Sequence, residues 1–222
     1  MLLEKKKRYL QIAFNADLWQ AQQLLPSIPY DPRIFIEAGT PFIKREGTAG
    51  IRLISSTWPG VVVADLKVTD GAAGEVKIAR EAGASAMTCM GSAPIETINL
   101  FIRTCKQHKA ISMIDMLGVV EPHRVLLKLK QPPDVVVLHK GRDEESTRGK
   151  VIQYKHVNKI RSKYDVLISA AGGVDLKEAR SAIFNGANIV VANIVSPEDP
   201  WTGIRSNEDV AKISQQFLAT IA

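Results

Sequence analysis

Eight short apolar runs rich in β-branched residues recur along the chain, and each is followed by a stretch long enough for a helix. They are YLQIAFN (9–15), RIFIEA (33–38), GVVVADLK (60–67), ASAMTCMG (84–91), AISMID (110–115), DVVVLHK (134–140), DVLISAAGG (165–173) and ANIVVAN (187–193). Between them, DGAAGEVKIAREAG and IETINLFIRTCKQH carry apolar residues at the spacing of an amphipathic helix. Gly in EAGA (81–84) and FNGAN (184–188) stands where such helices should stop, just before the next strand. Eight strands alternating with helices in 222 residues predict an α/β fold, the parallel (β/α)8 TIM barrel, with little insertion. A doubly wound open sheet is the rival, but it usually has fewer strands, and no G-x-G-x-x-G follows the first run. No Pro/Ser-rich linker divides the chain, so residues 1–222 read as a single domain able to bury a full core.

In a barrel of this kind, chemistry gathers where the C-terminal ends of several strands meet on one face. Here those ends carry Asn15, Glu37, Asp65 with Lys67, Gly91-Ser92, Asp115, His139, Gly172-Gly173 and Asn193. A single charged residue closing a strand is unremarkable, whereas this set predicts a ring of polar groups around one mouth. In VVVADLK, alternation puts Asp65 and Lys67 on the same face of the third strand, both aimed into that mouth.

Composition narrows the classes. Nearly half of the residues are hydrophobic, and Gly and Pro are ordinary in number, which excludes a disordered or fibrous chain. No uncharged apolar run approaches the ~18 residues of a membrane span, and MLLEKKKRYLQIAF lacks the layout of a secretory signal. Cys89 and Cys105 are the two cysteines, and no Cys/His cluster has metal-ligand spacing, so a cytoplasmic protein with reduced thiols is expected. The formal charge of +6 is scattered, and its densest run, KKKR (5–8), reads as a solvated terminal turn. Neither a nucleic acid nor a membrane is the expected partner. A modest positive balance suits a small phosphorylated substrate equally well.

Glu37 and Asp65, on adjacent strand ends, suit a hard divalent cation such as Mg²⁺, which binds through one or two carboxylates and keeps water for substrate oxygens. The plainer alternative is that each pairs with a nearby Lys. A Lys67 held by carboxylates stays protonated and fits the stabilisation of a developing oxyanion better than Schiff-base chemistry. The plainer reading of Lys67 is a rim salt bridge. Asp70 falls just past the strand, where a loop could reach a neighbouring subunit. His139 is either a satisfied core group or, at the catalytic end of a barrel, a general acid–base. His108, His123 and His156 lie in helical or loop stretches and are expected at the surface. Gly172 and Gly173 follow the seventh strand, where backbone N–H groups often hold phosphate.

Taken together, LQIAFN, EAGTPFIKREG, VVVADLKVTDGAAGE, AREAGASAMTCMGSAPIETI, ISMIDMLGV, LHKGRDEE and SAAGGV resemble the orotidine-monophosphate decarboxylase superfamily. They look most like its branch of 3-hexulose-6-phosphate synthases and 3-keto-L-gulonate-6-phosphate decarboxylases. The resemblance covers roughly positions 9 to 195. It implies a homodimeric barrel with shared active sites, a phosphorylated sugar substrate and a Mg²⁺-stabilised enediolate. Glu37 and Asp65 would hold the metal, Lys67 would stabilise the enediolate, and Asp70 would project into the partner's site. His139 would move protons, Asp115 would help set the substrate, and Gly172 and Gly173 would bind phosphate. Asp115, Gly141 and Glu144 look synthase-like, whereas Arg142 matches the Arg that the gulonate decarboxylases use. Two further positions differ from the usual pattern of the branch: Asn15 stands in place of Asp, and Ala192-Asn193 replaces a Gly-Arg or Gly-Gly type of pair. The implied activity is condensation of ribulose 5-phosphate with formaldehyde, or its reverse. The alternatives are a keto-sugar-phosphate decarboxylase and a non-catalytic barrel that binds a phosphometabolite.

Overall fold

The structure, a computed structural model, describes residues 3–145, 147 and 151–222. Its strands are β1 (Tyr9–Phe14), β2 (Ile34–Ala38), β3 (Val61–Val68), β4 (Ala86–Met90), β5 (Ile111–Asp115), β6 (Val135–His139), β7 (Leu167–Ala171) and β8 (Ile189–Val195). Each pairs in parallel with the next, and β8 pairs back onto β1, which closes the barrel. The helices are α1 (Leu18–Leu24), α2 (Thr40–Thr57), α3 (Ala72–Glu81), α4 (Ile95–Gln107), α5 (Pro122–Leu126), α6 (Arg142–Glu145), α7 (Val157–Arg161), α8 (Leu176–Phe184) and α9 (Val210–Thr220). A two-residue strand that the sequence pattern does not suggest, β9 (Ile204–Arg205), runs beside the end of β8. None of the described helices is long and apolar enough to cross a membrane.

Two apolar clusters hold the fold. Inward residues such as Tyr9, Phe35, Val63, Met113, Val137 and Val191 fill the barrel, while Leu10, Ile12, Phe42, Phe101 and Phe217 pack in the layer between strands and helices. The period of two decides which residue goes where: along β1, Tyr9 and Ala13 belong to the inner cluster and Leu10, Ile12 and Phe14 to the outer. Helix α4 buries Ile98, Phe101, Ile102 and Cys105, the stripe expected from its three- and four-residue spacing. The anticipated helix stops occur at Gly83 (φ +101°) and Gly186 (φ +94°), left-handed conformations that glycine adopts without steric cost. The basic run near the start is exposed, with Lys7 paired to Glu4 at 2.7 Å.

Two expectations fail. His123 and His156 are buried, their rings stacked with centroids 6.5 Å apart; of the three histidines expected at the surface, His108 alone is there. Helices α5 and α7 span five residues each, too few for the sequence to reveal which side packs inward.

Candidate functional site

The apolar inner layers end in polar ones at the C-terminal mouth of the barrel. There a cavity of about 530 Å³ is lined by Glu37, Asp65, Lys67, Asp115 and His139, among others. Residues from several different strands thus face one space.

Asp115 is the hub. Its carboxylate is only 1% exposed. Oδ2 accepts from Lys67 Nζ at 2.5 Å and lies 2.8 Å from His139 Nδ1, while Oδ1 accepts from the Leu117 backbone N–H at 2.9 Å. Burial alone would raise its pKa, but the charges and hydrogen bonds of His139 and Lys67 hold it well below the usual carboxylate range. Burial would lower the pKa of His139, yet Asp115 holds it above its ordinary value. With Nδ1 engaged by Asp115, the other ring nitrogen is the one left to exchange protons with a molecule in the cavity. Both oxygens of Asp115 are engaged by protein donors. Through these bonds Asp115 positions Lys67 and His139, and it also lines the cavity, where the resemblance has it help set the substrate.

Lys67 also contacts Asp65, at 3.2 Å from Oδ1 and 3.1 Å from Oδ2. Its ammonium is buried enough to be destabilised, but Asp65, Asp115 and Glu37 raise its pKa above the ordinary lysine value. The lysine is held by Asp65 and Asp115, while Asp70, expected to reach a partner's site, is exposed and does not line the cavity of its own chain. The way Lys67 reaches the mouth also differs from simple alternation. Ala64 pairs with Met87 and Val68 with Cys89, so β3 takes four steps where β4 takes two. Lys67 sits in this bulge with φ +49°, a strained conformation for a non-glycine residue, and its N–H is secured by Thr88 Oγ1 at 2.9 Å. The bulge re-aims the side chain toward Asp115.

Glu37 and Asp65 are both buried. Burial first, and then repulsion from Asp65, push the Glu37 carboxyl up to about 7. Its Oε2 accepts a hydrogen bond from Gln11 Nε2. Asp65 Oδ2 accepts from Thr40 Oγ1 and Oδ1 from Thr88 Oγ1, both at 2.7 Å. Two mutually repelling carboxylates at a water-accessible mouth form an all-oxygen donor pair suited to Mg²⁺. Gln11 Oε1, on the neighbouring strand, is a buried acceptor with no partner among the described residues. No group of three or more His, Cys, Asp or Glu side chains among the described residues is arranged for a metal, so such an ion would complete its shell with water and substrate oxygens.

The remaining candidates divide. Asn15 and Asn193 line the cavity and bond each other, Asn15 Nδ2 donating to Asn193 Oδ1 at 3.2 Å. Gly172 lines it with φ +100°, and a side chain there would collide with the Lys140 carbonyl. Gly173 (φ +65°) is not among the lining residues. Arg142 lines the wall with its guanidinium 4.3 Å from the centre of the Trp201 ring, in cation–π geometry. The strand end Gly91-Ser92 contributes nothing to the lining, and β4 supplies Thr88 instead. Gln11, Thr40, Thr88 and Glu145 are absent from the sequence-based set. Inward alternation along β1 and β4 could have found Gln11 and Thr88, but neutral side chains carry no chemical signal of their own.

Comparison with known proteins agrees with this picture. The model of the family described as "Orotidine 5'-phosphate decarboxylase / HUMPS family" matches residues 8–198. A curated relative, "Bifunctional enzyme Fae/Hps" of Methanothrix thermoacetophila, is 35% identical over 215 residues, covering 96% of this chain and 52% of the relative. The chain thus spans about half the length of the curated relatives it matches. Among solved structures, 3-hexulose-6-phosphate synthase from Salmonella typhimurium superimposes with a TM-score of 0.81 at 24% identity, covering 96% of this chain and 98% of that one. KGPDC from Streptococcus mutans, solved as a ligand complex, gives 0.78 at 22% identity, covering 96% and 97%. These two likenesses establish the barrel.

Proposed function

The chain belongs to the orotidine 5'-phosphate decarboxylase / HUMPS family, and from that premise we propose that it is an aldolase of the 3-hexulose-6-phosphate synthase type. It would join ribulose 5-phosphate to formaldehyde, or run the reverse cleavage, through an enediolate. The family relation and the Hps relatives support the class of reaction. The observation that carries the reading is the Asp115 carboxylate shared by Lys67 and His139 at the mouth.

The chemistry follows from that sharing. Hydrogen-bonded to Asp115 through Nδ1, His139 presents its second nitrogen to the cavity and takes a proton from C1 of the sugar. Negative charge then develops on the adjacent oxygens. Lys67, kept protonated by Asp65 and Asp115, is already in place to stabilise it, so little reorganisation is needed as the charge appears. The enediolate carbon attacks the carbonyl carbon of formaldehyde, forming one C–C bond, and the new alkoxide takes up a proton. Glu37 and Asp65 would hold Mg²⁺, which when bound supplies Lewis-acid stabilisation to the substrate oxygens. Gly172 and Gly173 would receive the phosphate through backbone N–H groups, with the Asn15–Asn193 pair also on the cavity wall. The reading includes a homodimer in which Asp70 completes the partner's site, and a cytoplasmic location.

Purified protein with Mg²⁺, ribulose 5-phosphate and formaldehyde should consume both substrates, and Lys67→Ala should abolish this. Absence of turnover with and without metal would remove the reading. Arg142 on the cavity wall favours a second one, decarboxylation of 3-keto-L-gulonate 6-phosphate with Arg142 assisting proton delivery. Release of CO₂ from that substrate separates the two.

A further inference from the structure

Where the phosphate is expected, a carboxylate of the protein already stands. Glu145, the last residue of α6, lines the cavity, and its Oε2 accepts from the Thr202 backbone N–H at 3.1 Å. Its Cδ and Oε2 lie 3.1 Å from the point where a Cβ on Gly173 would sit, and Lys140 Nζ lies 3.1 Å from the same point. An anion, a cation and a backbone N–H therefore converge over Gly173. The other oxygen of the carboxylate, Oε1, is buried without a hydrogen-bond partner among the described residues. A buried acceptor left unpaired is costly, so this carboxylate is held in an unfavourable place.

We infer that Glu145 is a displaceable internal anion: its carboxylate keeps the phosphate seat at Gly173 closed until a substrate phosphate expels it, takes over the Thr202 N–H and recruits the nearby Lys140 ammonium. This rests on the proposed function, which puts the phosphate at Gly172 and Gly173. A carboxylate and a phosphate dianion cannot share one small seat, since like charges a few ångströms apart repel strongly wherever water is scarce. A dianion attracts the Lys140 ammonium more strongly than a single carboxylate does and can replace it at the Thr202 N–H, whereas a neutral sugar brings no charge to the exchange. The device thus makes entry depend on the phosphate itself. It also acts on Arg142. Helix α6 is tied to the segment between β8 and β9 at two points, Glu145 to Thr202 and Arg142 to Trp201. Expelling Glu145 releases one tie and shifts α6 against Trp201, so the arrival of phosphate is passed to the arginine.

The test is calorimetric titration of the full chain and of Glu145→Gln with inorganic phosphate and with ribulose 5-phosphate. Glutamine keeps an acceptor for the Thr202 N–H, turns the other oxygen into an NH₂ donor and removes the charge, so the variant should bind both ligands more tightly, by about tenfold for one unit charge removed at this range. Unchanged or weaker binding by the variant, beside a wild type that binds, overturns the inference and leaves the functional reading standing. No binding of either ligand by either protein overturns both. A second measurement does not depend on that variant folding: phosphate added to the wild type should change tryptophan emission, and the change should be absent in Trp201→Phe. An equal change in both proteins, or none in the wild type at saturating phosphate, contradicts the coupling.

Discussion

Replacing Asp115 by Asn removes one charge from the hub and should affect stability, rate and pH dependence in different ways. The carboxylate is 1% exposed and receives Lys67 Nζ at 2.5 Å, His139 Nδ1 at 2.8 Å and the Leu117 N–H at 2.9 Å. Asn presents one acceptor and one donor group to those partners, so at least one donor is left facing a donor. Leaving a buried ionic network short of one charge costs about 3 kcal/mol, at the low end for such lesions because an acceptor remains. For a chain of this size that corresponds to a fall in Tm of about 6–12 °C. The pH dependence of this loss has a definite sign. The folded-state pKa of Asp115 is depressed, so its contribution is fully present above the unfolded value near 3.9 and is lost as pH falls below it. The Tm deficit of Asp115→Asn should therefore be largest at neutral pH and shrink on acidification below about 4.

His139 provides the second observable. In the wild type its pKa is raised because Asp115 outweighs burial and Lys67. Without that charge, burial and Lys67 dominate, and the His139 titration should fall below 6.5, its ordinary value. The ascending limb of the pH–rate profile should move to lower pH, while the maximal rate drops by about 10²–10⁴-fold because the ring is no longer held as the correct tautomer. Differential scanning calorimetry, an NMR titration of the imidazole and steady-state rates across pH give the three numbers. A variant with a wild-type rate, or a His139 titration that rises or stays fixed, would refute the hub.

Metal binding and the partner subunit can be probed from the same geometry. Glu37 is pushed up to about 7 by burial and Asp65, so a divalent cation should bind mainly the ionised form, and Mg²⁺ should raise Tm more at pH 8 than at pH 6; Glu37→Gln should remove this dependence, and an equal Mg²⁺ effect at both pH values in the wild type would count against the site. If Asp70 completes the partner's site, mixing inactive Asp70→Ala with inactive Lys67→Ala protein should restore about a quarter of the wild-type activity, because half of the dimers then carry one intact site of two; no recovery after confirmed subunit exchange would sink the shared-site arrangement.

Much of the mouth is legible in the sequence because two signals coincide there. Alternation fixes which residues of an apolar strand face inward, and a charged residue closing such a strand stands out against its neighbours. Glu37, Asp65, Asp115 and His139 satisfy both conditions. Lys67 satisfies them for a partly mistaken reason, since the bulge between Ala64 and Val68 breaks the alternation that aims it. What stays hidden depends on contacts between distant segments. Arg142 over Trp201 and Glu145 at Thr202 join loops more than fifty positions apart, and no local spacing announces them. Thr40 and Thr88 orient Asp65 but look like ordinary threonines in the chain. The burial of His123 and His156 escapes a sequence reading because His123 lies in α5 and His156 in the 3-10 turn just before α7, elements too short for a readable period.

The central claim is that Asp115, His139 and Lys67 act together to make and hold an enediolate. Incubating the protein with Mg²⁺ and ribulose 5-phosphate in D₂O, with no formaldehyde, isolates that event from any choice of electrophile. Proton NMR should show the C1 signal of the sugar disappearing as deuterium enters, and the loss should vanish in Lys67→Ala and slow markedly in Asp115→Asn. A C1 signal that persists at saturating substrate and metal would contradict the account.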